Sequence, residues 1–405
     1  MNAFTIFVGG SPSSIDSAIN LISLAFVLAN NIAATILVSM AKKKTTVPSK
    51  TAKRSPSQRQ LAKLDREILV LINQRAELTN DRAHRSVAAT GRLLADEAEK
   101  LSDLVALNRG PLTDASVRAV FREVLSGSHA VGHVTRIAFL GPEYTYSHLA
   151  ALEGFGQSAD LVPVGTIASV FEEVERGQTE FGIVPIENST DGRITDALEC
   201  LARTPAKICG NVLLHIHHCL LGTGTRKDVR RVVSKPQALS QCRNWLGKHL
   251  PDAQLIGVAS TAEAALQAAK EPQTAAIASQ QAGVNHSLSV LASNIEDNPD
   301  NVTRFAVIGT AGGPRTGKDK TALVFEISHQ PGALADAMSI FKRQRLNMTW
   351  IESFPMPGQR GRYLFFVEFQ EHSSELRARR ALTALEKKCL RLTVLGSYAQ
   401  TSPIG

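Results

Sequence analysis

At 405 residues the chain exceeds what one ordinary core organises, so two to four domains are expected. With 43% hydrophobic and 20% charged residues it has the composition of a water-facing globular protein, and 5% aromatics argues against an aromatic-lined nucleic-acid platform. The net charge of +8 is local, because Lys42, Lys43, Lys44, Lys50, Lys53, Arg54 and Arg59 stand against only Asp16 in residues 1–60; this describes a basic tether, not a nucleic-acid-binding domain.

Residues 1–54 are expected to be a disordered or mis-started extension. Within them, 19–38 is nearly continuous apolar sequence, long enough at about 1.5 Å per residue to cross a bilayer. Asn30-Asn31 interrupts it and no basic segment precedes it, whereas Met40 opens a Lys/Ser/Pro-rich leader. The leading expectation is translation from Met40; a membrane anchor or a buried helix is the alternative.

Residues 55–132 read as helical. Leu61, Leu64, Ile68, Leu71, Ile72 and Leu78 recur at three- and four-residue spacing in a long first helix. Shorter helices follow at 97–107, stopped by Asn108-Arg109-Gly110-Pro111, and at 113–125, with Thr113 or Asp114 as N-cap. Three such helices enclose little core, so pairing with a second copy through this segment is expected.

Residues 135–310 alternate strands (137–140, 181–186, 212–221, 232–233, 275–278) with helices (168–176, 236–248, 261–269), an α/β pattern that gathers ligand-binding loops at the carboxyl ends of strands. Polar residues crowd those loops. Gly141 to His148 places hydroxyls and free N–H groups at a helix start, suited to a carboxylate. Glu187-Asn188-Ser189-Thr190-Asp191 carries more polar groups than a turn needs, and Ser234-Lys235-Pro236-Gln237, with Gln241 a turn later, adds hydroxyl and amide donors. In a last loop, 296–305, Thr303 offers an O–H to a leaving oxygen and Arg304 a planar fork to a carboxylate. His215 and His217 share one strand face while His218 points away, which favours structural histidines over a metal site. Cys200, Cys209, Cys219, Cys242 and Cys389 are odd in number and form no CxxC pair, so reduced thiols in a cytoplasmic protein are expected.

Residues 309–319 form a linker. Gly312 and Gly317-Lys318 have phosphate-loop spacing, yet Asp319 takes the Ser/Thr position and a strand follows where a helix is required. From 320 to 400 the strands 321–327, 348–354, 363–370 and 390–397 and the helices 331–345 and 374–388 spell βαββαβ, a ferredoxin-like unit.

The ordered blocks RIAFLGP…TYSHLAA, GIVPIENST, HHCLL, SKPQALSQC, AAIAS and NVTRF resemble prephenate dehydratase throughout 135–310. The resemblance implies two α/β lobes like a type II periplasmic binding protein with the active site between them, loss of carbon dioxide and the ring hydroxyl from prephenate to give phenylpyruvate, and no metal or organic cofactor. It implies a catalytic set of Thr303 as proton donor, Arg304 to anchor or orient, and Asn188, Gln241, Ser234 and Glu187 around the cleft. Tyr144 departs from the family's glycine, a residue suited to positive φ or close approach.

Residues 320–400 resemble the ACT domain. Gly332, Ala333, Leu334, Glu352 and Ser353 stand at its effector motifs, implying feedback by phenylalanine, although Phe354 replaces the usual arginine. Residues 55–132 resemble the helical chorismate mutase domain of bifunctional P-proteins through LAKLDREILVLINQRAEL, LNRGPL and VRAVFREVLSGS, implying chorismate as a further substrate. Arg59, Arg75, Arg85, Glu97 and Ser128 are the implied mutase-site residues, against departures at Gln58, Ser86, Asp96 and Gly132. A multidomain α plus α/β homo-oligomer is thus expected, with an active or degenerate mutase. Arogenate dehydratase and a non-catalytic sensor of aromatic metabolites are the alternatives.

Overall fold

The structure, a computed structural model, describes residues 55–83, 90–355 and 362–401. The expectations for residues 1–54, and Arg85 and Ser86, lie outside the described residues. No helix among the described residues is long and apolar enough to cross a membrane.

The helical segment comprises α1 (Pro56–Ala83), α2 (Thr90–Ala106) and α3 (Asp114–Ala130). Thr113 caps α3, its side chain accepting from the Ser116 N–H, as the sequence signalled. Val117 and Leu125 of α3 are buried, whereas Ile68, Leu71 and Leu78 of α1 are 53%, 63% and 69% exposed.

The first lobe is a six-stranded sheet ordered β2-β1-β3-β11-β5, with β4 on β3. Its strands are β1 (Arg136–Leu140), β2 (Asp160–Val164), β3 (Phe181–Asn188), β4 (Gly192–Arg193), β5 (Lys207–His215) and β11 (Val302–Gly309). β1 runs parallel to β2 and β3, and β11 antiparallel to β3 and β5. Helices α4 (Tyr146–Phe155), α5 (Ile167–Glu175) and α6 (Thr195–Arg203) cover it. Period-two alternation divides the core: Ile137, Phe139, Phe305 and Val307 pack with α4, while Ala138, Val184, Ala306 and Ile308 pack with α5 and α6.

Two expectations are corrected here. The apolar run 212–221 is not one strand but is cut between β5 and β6 (Cys219–Gly222), which belong to different sheets. Residues 302–305 are not loop, because β11 lies inside the sheet between β3 and β5. Strand-like sequence on both sides of His215, His217 and His218 hid the change of sheets between them, and Arg304 masks an otherwise strand-like VTRFAVIG.

The second lobe orders its five strands β10-β6-β9-β7-β8, adding β7 (Arg231–Ser234), β8 (Gln254–Gly257), β9 (Thr274–Ala278) and β10 (Ser289–Ala292). Its helices are α7 (Pro236–Gln241), α8 (Arg243–His249), α9 (Thr261–Lys270) and α10 (Gln280–Asn285). The single helix expected at 236–248 breaks at Cys242, whose φ of −113° and ψ of 15° are not helical. The chain passes between lobes twice, at 216–218 and 293–301, and Glu296 staples the crossings. Its carboxylate meets His217 Nδ1 at 2.7 Å and accepts the His218 N–H at 2.8 Å.

The third sheet is antiparallel, ordered β13-β14-β12-β15, from β12 (Asp319–Glu326), β13 (Met348–Pro355), β14 (Tyr363–Gln370) and β15 (Arg391–Ala399). With α11 (Ala333–Arg343) and α12 (Leu376–Glu386) it has the expected βαββαβ order. Leu323, Phe325, Val367 and Phe369 pack under the helices, while Ala322, Val324, Phe366 and Phe354 join the first lobe's core. Phe354, standing where the family has arginine, is therefore buried rather than offered to an effector.

Candidate active site

Loops at the carboxyl ends of β1, β3 and β7 converge on a cleft of about 1030 Å³ between the lobes. Thr303 and Phe305 of β11 line it, and so do Asn188, His218, Lys235 and Gln241. Strand alternation puts Arg304 on the opposite face.

The polar groups of the cleft form one directed chain. Asn188 pairs with Thr303 in the β3–β11 register, and its Nδ2 donates to Thr303 Oγ1 at 2.8 Å and to Asn301 Oδ1 at 2.9 Å. Its Oδ1 is held by the N–H groups of Thr190 and Asp191, both at 3.0 Å. Asn301 Nδ2 donates to Gln241 Oε1 at 3.3 Å. Gln241 Nε2 donates to Asp191 Oδ2 at 2.5 Å, and Gln237 Nε2 donates to the same oxygen at 2.5 Å. A carboxylate only accepts, so Asp191 turns the Gln241 carbonyl toward His218 Nε2, 2.9 Å away. His218 is thereby fixed as the Nε2–H tautomer, with Nδ1 2.9 Å from the Tyr146 hydroxyl.

Burial lowers the His218 pKa despite the Gln241 hydrogen bond and the Glu296 carboxylate, so the ring is neutral near pH 7. Burial likewise pushes the Tyr146 phenol well above its ordinary range. His148 is lowered by burial against the opposing Glu143 charge, and its Nδ1 accepts the Tyr144 N–H at 3.0 Å.

The sequence-derived catalytic set is thus divided. Thr303, Asn188 and Gln241 come together. Ser234 is fully buried beneath the cleft, donating to the Ile277 carbonyl at 2.6 Å and tying β7 to β9. Glu187 lies with Arg304 on the far face at 3.3 Å, and Arg304 meets Glu368 of β14 at 2.9 Å. Of the two roles expected for Arg304, to anchor or to orient, the anchoring one is corrected by this geometry, which keeps the guanidinium off the cleft wall. Asp191, His218 and Tyr146 were not singled out as functional residues, although Asp191 stood in the polar loop and Tyr146 and His218 inside quoted motifs, and Asn301 stood in the NVTRF run without a role of its own. Among the described residues, Lys235 is the one Lys or Arg on the cleft wall, and its place in the SKPQ loop was the available signal.

Tyr144 adopts φ of 64°, the left-handed backbone that glycine takes freely. Its ring packs on the second lobe's apolar cluster and edge-on to His148 at 5.4 Å. It is a wedge between the lobes. Among the described residues no cluster of three His, Cys, Asp or Glu could hold a metal ion.

Of the mutase-type residues, Arg59 is exposed on α1, and Arg85 lies outside the described residues. Arg75 Nη1 is buried without a hydrogen-bond partner among the described residues. Glu97 pairs with His129 at 2.8 Å, and Ser128 is buried, donating to the Val124 carbonyl at 2.6 Å. Of the effector-motif residues, Gly332 has φ of 81° at the start of α11, followed there by Ala333 and Leu334. Ser353 is exposed, and Glu352 meets Arg193 of β4 at 2.8 Å.

A polar cleft between two α/β lobes joined by a double crossing is a periplasmic-binding-protein-like arrangement. A family profile described as prephenate dehydratase matches residues 137–312. A bifunctional chorismate mutase/prephenate dehydratase of Pseudomonas aeruginosa is 38% identical over 344 residues, covering 83% of this chain and 94% of the relative. The structure of a prephenate dehydratase from Arthrobacter aurescens in complex with L-Phe matches with a TM-score of 0.62 and 32% identity, over 66% of this chain and 90% of that one. A structure described as a novel type of quorum-quenching acylase matches with a TM-score of 0.60 and 28% identity, over 66% and 98%. The chain belongs to the bifunctional chorismate mutase/prephenate dehydratase family.

Proposed function

We propose that the cleft converts prephenate to phenylpyruvate. The ring carboxylate leaves as carbon dioxide, its bonding electrons enter the ring, and the ring C–O bond breaks as the hydroxyl departs as water. Aromatisation drives the step, so a weak acid suffices: Thr303 Oγ1 gives its proton to the departing hydroxyl, which leaves as water, and takes one back from solvent. The observation that carries this reading is the Asn188–Thr303 bond at 2.8 Å. Because Asn188 occupies a lone pair on the threonine oxygen, the Thr303 proton is free for the cleft. Lys235 supplies positive charge for a substrate carboxylate.

The domain boundaries that fit this reading are 55–132 for the mutase-type helices, 135–310 for the dehydratase lobes and 320–400 for an ACT domain. Phenylalanine is the proposed feedback effector, supported by the L-Phe complex of the Arthrobacter relative. Conversion of chorismate to prephenate by the helical segment is supported by the buried Arg75 Nη1, which has no hydrogen-bond partner among the described residues and is the kind of cation a dianionic substrate satisfies. The exposed Ile68, Leu71 and Leu78 of α1 support a homodimer. A cytoplasmic location is proposed to accompany this biosynthetic role.

The test is to supply chorismate, prephenate and arogenate separately and follow aromatic product by absorbance. Phenylpyruvate from prephenate is expected. Product from arogenate alone would move the assignment to arogenate dehydratase, and no product from any of the three would favour a sensor. Thr303→Ala is expected to lower kcat by about 10²-fold or more with KM little changed.

A further inference from the structure

Thr303 and Arg304 are chain neighbours facing opposite sides of the first-lobe sheet, one into the cleft and the other toward the third sheet. We propose that Arg304 is a positioning residue, which fixes Thr303 from the far face by tying β11 to Glu368 of β14. The proposal rests on the assignment of Thr303 to the departing oxygen.

The strand needs such a tie at this point. The β11–β3 register shifts between Arg304 and Phe305, so the ladder is irregular one residue from Thr303. A bulge re-aims side chains and weakens local pairing. Arg304 bridges this irregularity: its Nη1 meets Glu368 Oε2 at 2.9 Å, its Nε lies 3.3 Å from Glu187, and its guanidinium sits 4.6 Å from the Trp350 ring centroid. Both ends of the main pair are withdrawn from water, with side chains 10% and 1% exposed. Glu368 is itself locked, accepting from Lys320 Nζ at 2.8 Å, Thr349 Oγ1 at 2.5 Å and the Tyr398 hydroxyl. Arg304 therefore grips an immobile partner through Nη1, and its burial and its contact with the Trp350 ring leave it little freedom to swing.

Displacement of a reacting group by about 1 Å can cost about 10²-fold in rate. Loosening the Arg304–Glu368 pair is therefore expected to appear in kcat, although neither side chain lines the cleft. The experiment compares Glu368→Gln, Arg304→Met and the double variant Arg304→Met/Glu368→Met for kcat and KM on prephenate, with Thr303→Ala alongside. Removing one member of a buried pair strands the other charge, whereas replacing both by apolar side chains is often tolerated. Glu368→Gln is expected to lower kcat by about tenfold or more with KM within about twofold, and the double variant to fall no further than Arg304→Met alone. Should Arg304→Met fail to fold, Glu368→Gln decides.

Wild-type kcat and KM in Glu368→Gln would overturn the proposal. So would a raised KM with intact kcat in Arg304→Met, the signature of a substrate anchor. If instead Thr303→Ala keeps the full rate, the Thr303 assignment falls by its own result, separately from the behaviour of Arg304 and Glu368.

Discussion

The Asp191 carboxylate and the Gln241 side-chain amide meet at 2.5 Å across the cleft, and this contact sets the direction of the Gln241 hydrogen bonds toward Asn301 and His218. Asp191 comes from the β3–β4 turn of the first lobe and Gln241 from α7 of the second. With the amide nitrogen committed to Asp191, the Gln241 carbonyl accepts from Asn301 and His218. Asn301 then accepts from Asn188, which steadies the threonine oxygen. Asp191→Ala releases the amide to flip. It is expected to lower kcat by about 10-fold to 10²-fold through lost order in the network, with a smaller change in KM. Steady-state kinetics on prephenate measures both, and a variant with wild-type kcat would detach Asp191 from the reaction.

Asn188 makes the same network testable nearer the reacting atoms. Asn188→Asp keeps the shape but replaces the donating Nδ2 with an acceptor, so an oxygen would face the oxygens of Thr303 and Asn301. Turnover is expected to fall by at least about tenfold. The fall should be steepest above the aspartate pKa, where the new group is an anion. A rate that recovers as the solution is acidified would carry the signature of a carboxyl group regaining its proton and its ability to donate.

His218 gives a pH dependence with a definite sign. Its pKa is lowered in the folded protein by burial, whereas in the unfolded chain it titrates near about 6.5. Above about pH 6.5 both states hold the neutral ring and no penalty exists. As the pH falls below this the unfolded state binds the proton first, so stability drains away until the lowered folded pKa is passed. His148, lowered for the same reason, adds to the effect. Denaturant midpoints measured between pH 7.5 and 5 should decline on the acid side, and less so in His218→Gln. The kcat profile should stay flat through pH 6.5, and an inflection at 6.5 or above would contradict a neutral His218.

Much of this arrangement was legible in the sequence, and its failures share a cause. Periodicity located the βαββαβ segment, and the polar loops after β1, β3 and β7 do converge on the cleft. Thr303, Asn188 and Gln241 meet there. Arg304, Glu187 and Ser234 do not, because their directions depend on strand register, which a loop assignment for 296–305 does not supply. Once β11 is a strand, alternation alone sends Thr303 and Arg304 to opposite faces. Asp191 and His218 were hidden for another reason: their roles arise from partners 50 and 23 residues away in the chain, which no local pattern announces.

Close approach of the third sheet to the first lobe depends on Gly396. It has φ of 153°, and a Cβ there would stand 2.0 Å from the Ile208 carbonyl oxygen on β5. Backbone cannot yield as a flexible side chain does. Gly396→Ala is expected to destabilise by about 3 kcal/mol or more. Gly177 is the milder comparison: its φ of 67° lies in the left-handed region that alanine enters at modest cost, and a Cβ there meets nothing within 4 Å. Gly177→Ala should cost only about 1 kcal/mol of backbone strain. Comparable unfolding midpoints for the two variants would mean that the sheets separate without penalty.

The last prediction concerns how an effector bound at the third sheet would reach the cleft. Arg193, two residues after Asp191, meets Glu352 at 2.8 Å, so the β3–β4 turn touches the second lobe at one end and an effector-motif residue at the other. The pair is partly exposed, 40% and 27%, and such pairs are worth at most about 1 kcal/mol in stability. Arg193→Gln should therefore fold normally and change basal kcat by less than about threefold. If the turn carries the coupling, the L-phenylalanine concentration for half-inhibition should rise by about fivefold or more, the lower range of allosteric coupling energies. Glu352→Gln should match it, since either change cuts the same link. If Glu352 contacts the effector directly, Glu352→Gln alone would weaken inhibition and Arg193→Gln would leave it intact. Inhibition curves for the two variants, with L-phenylalanine binding measured by calorimetry, separate loss of coupling from loss of binding: a cut link leaves binding heat and stoichiometry in place while the cleft stops responding.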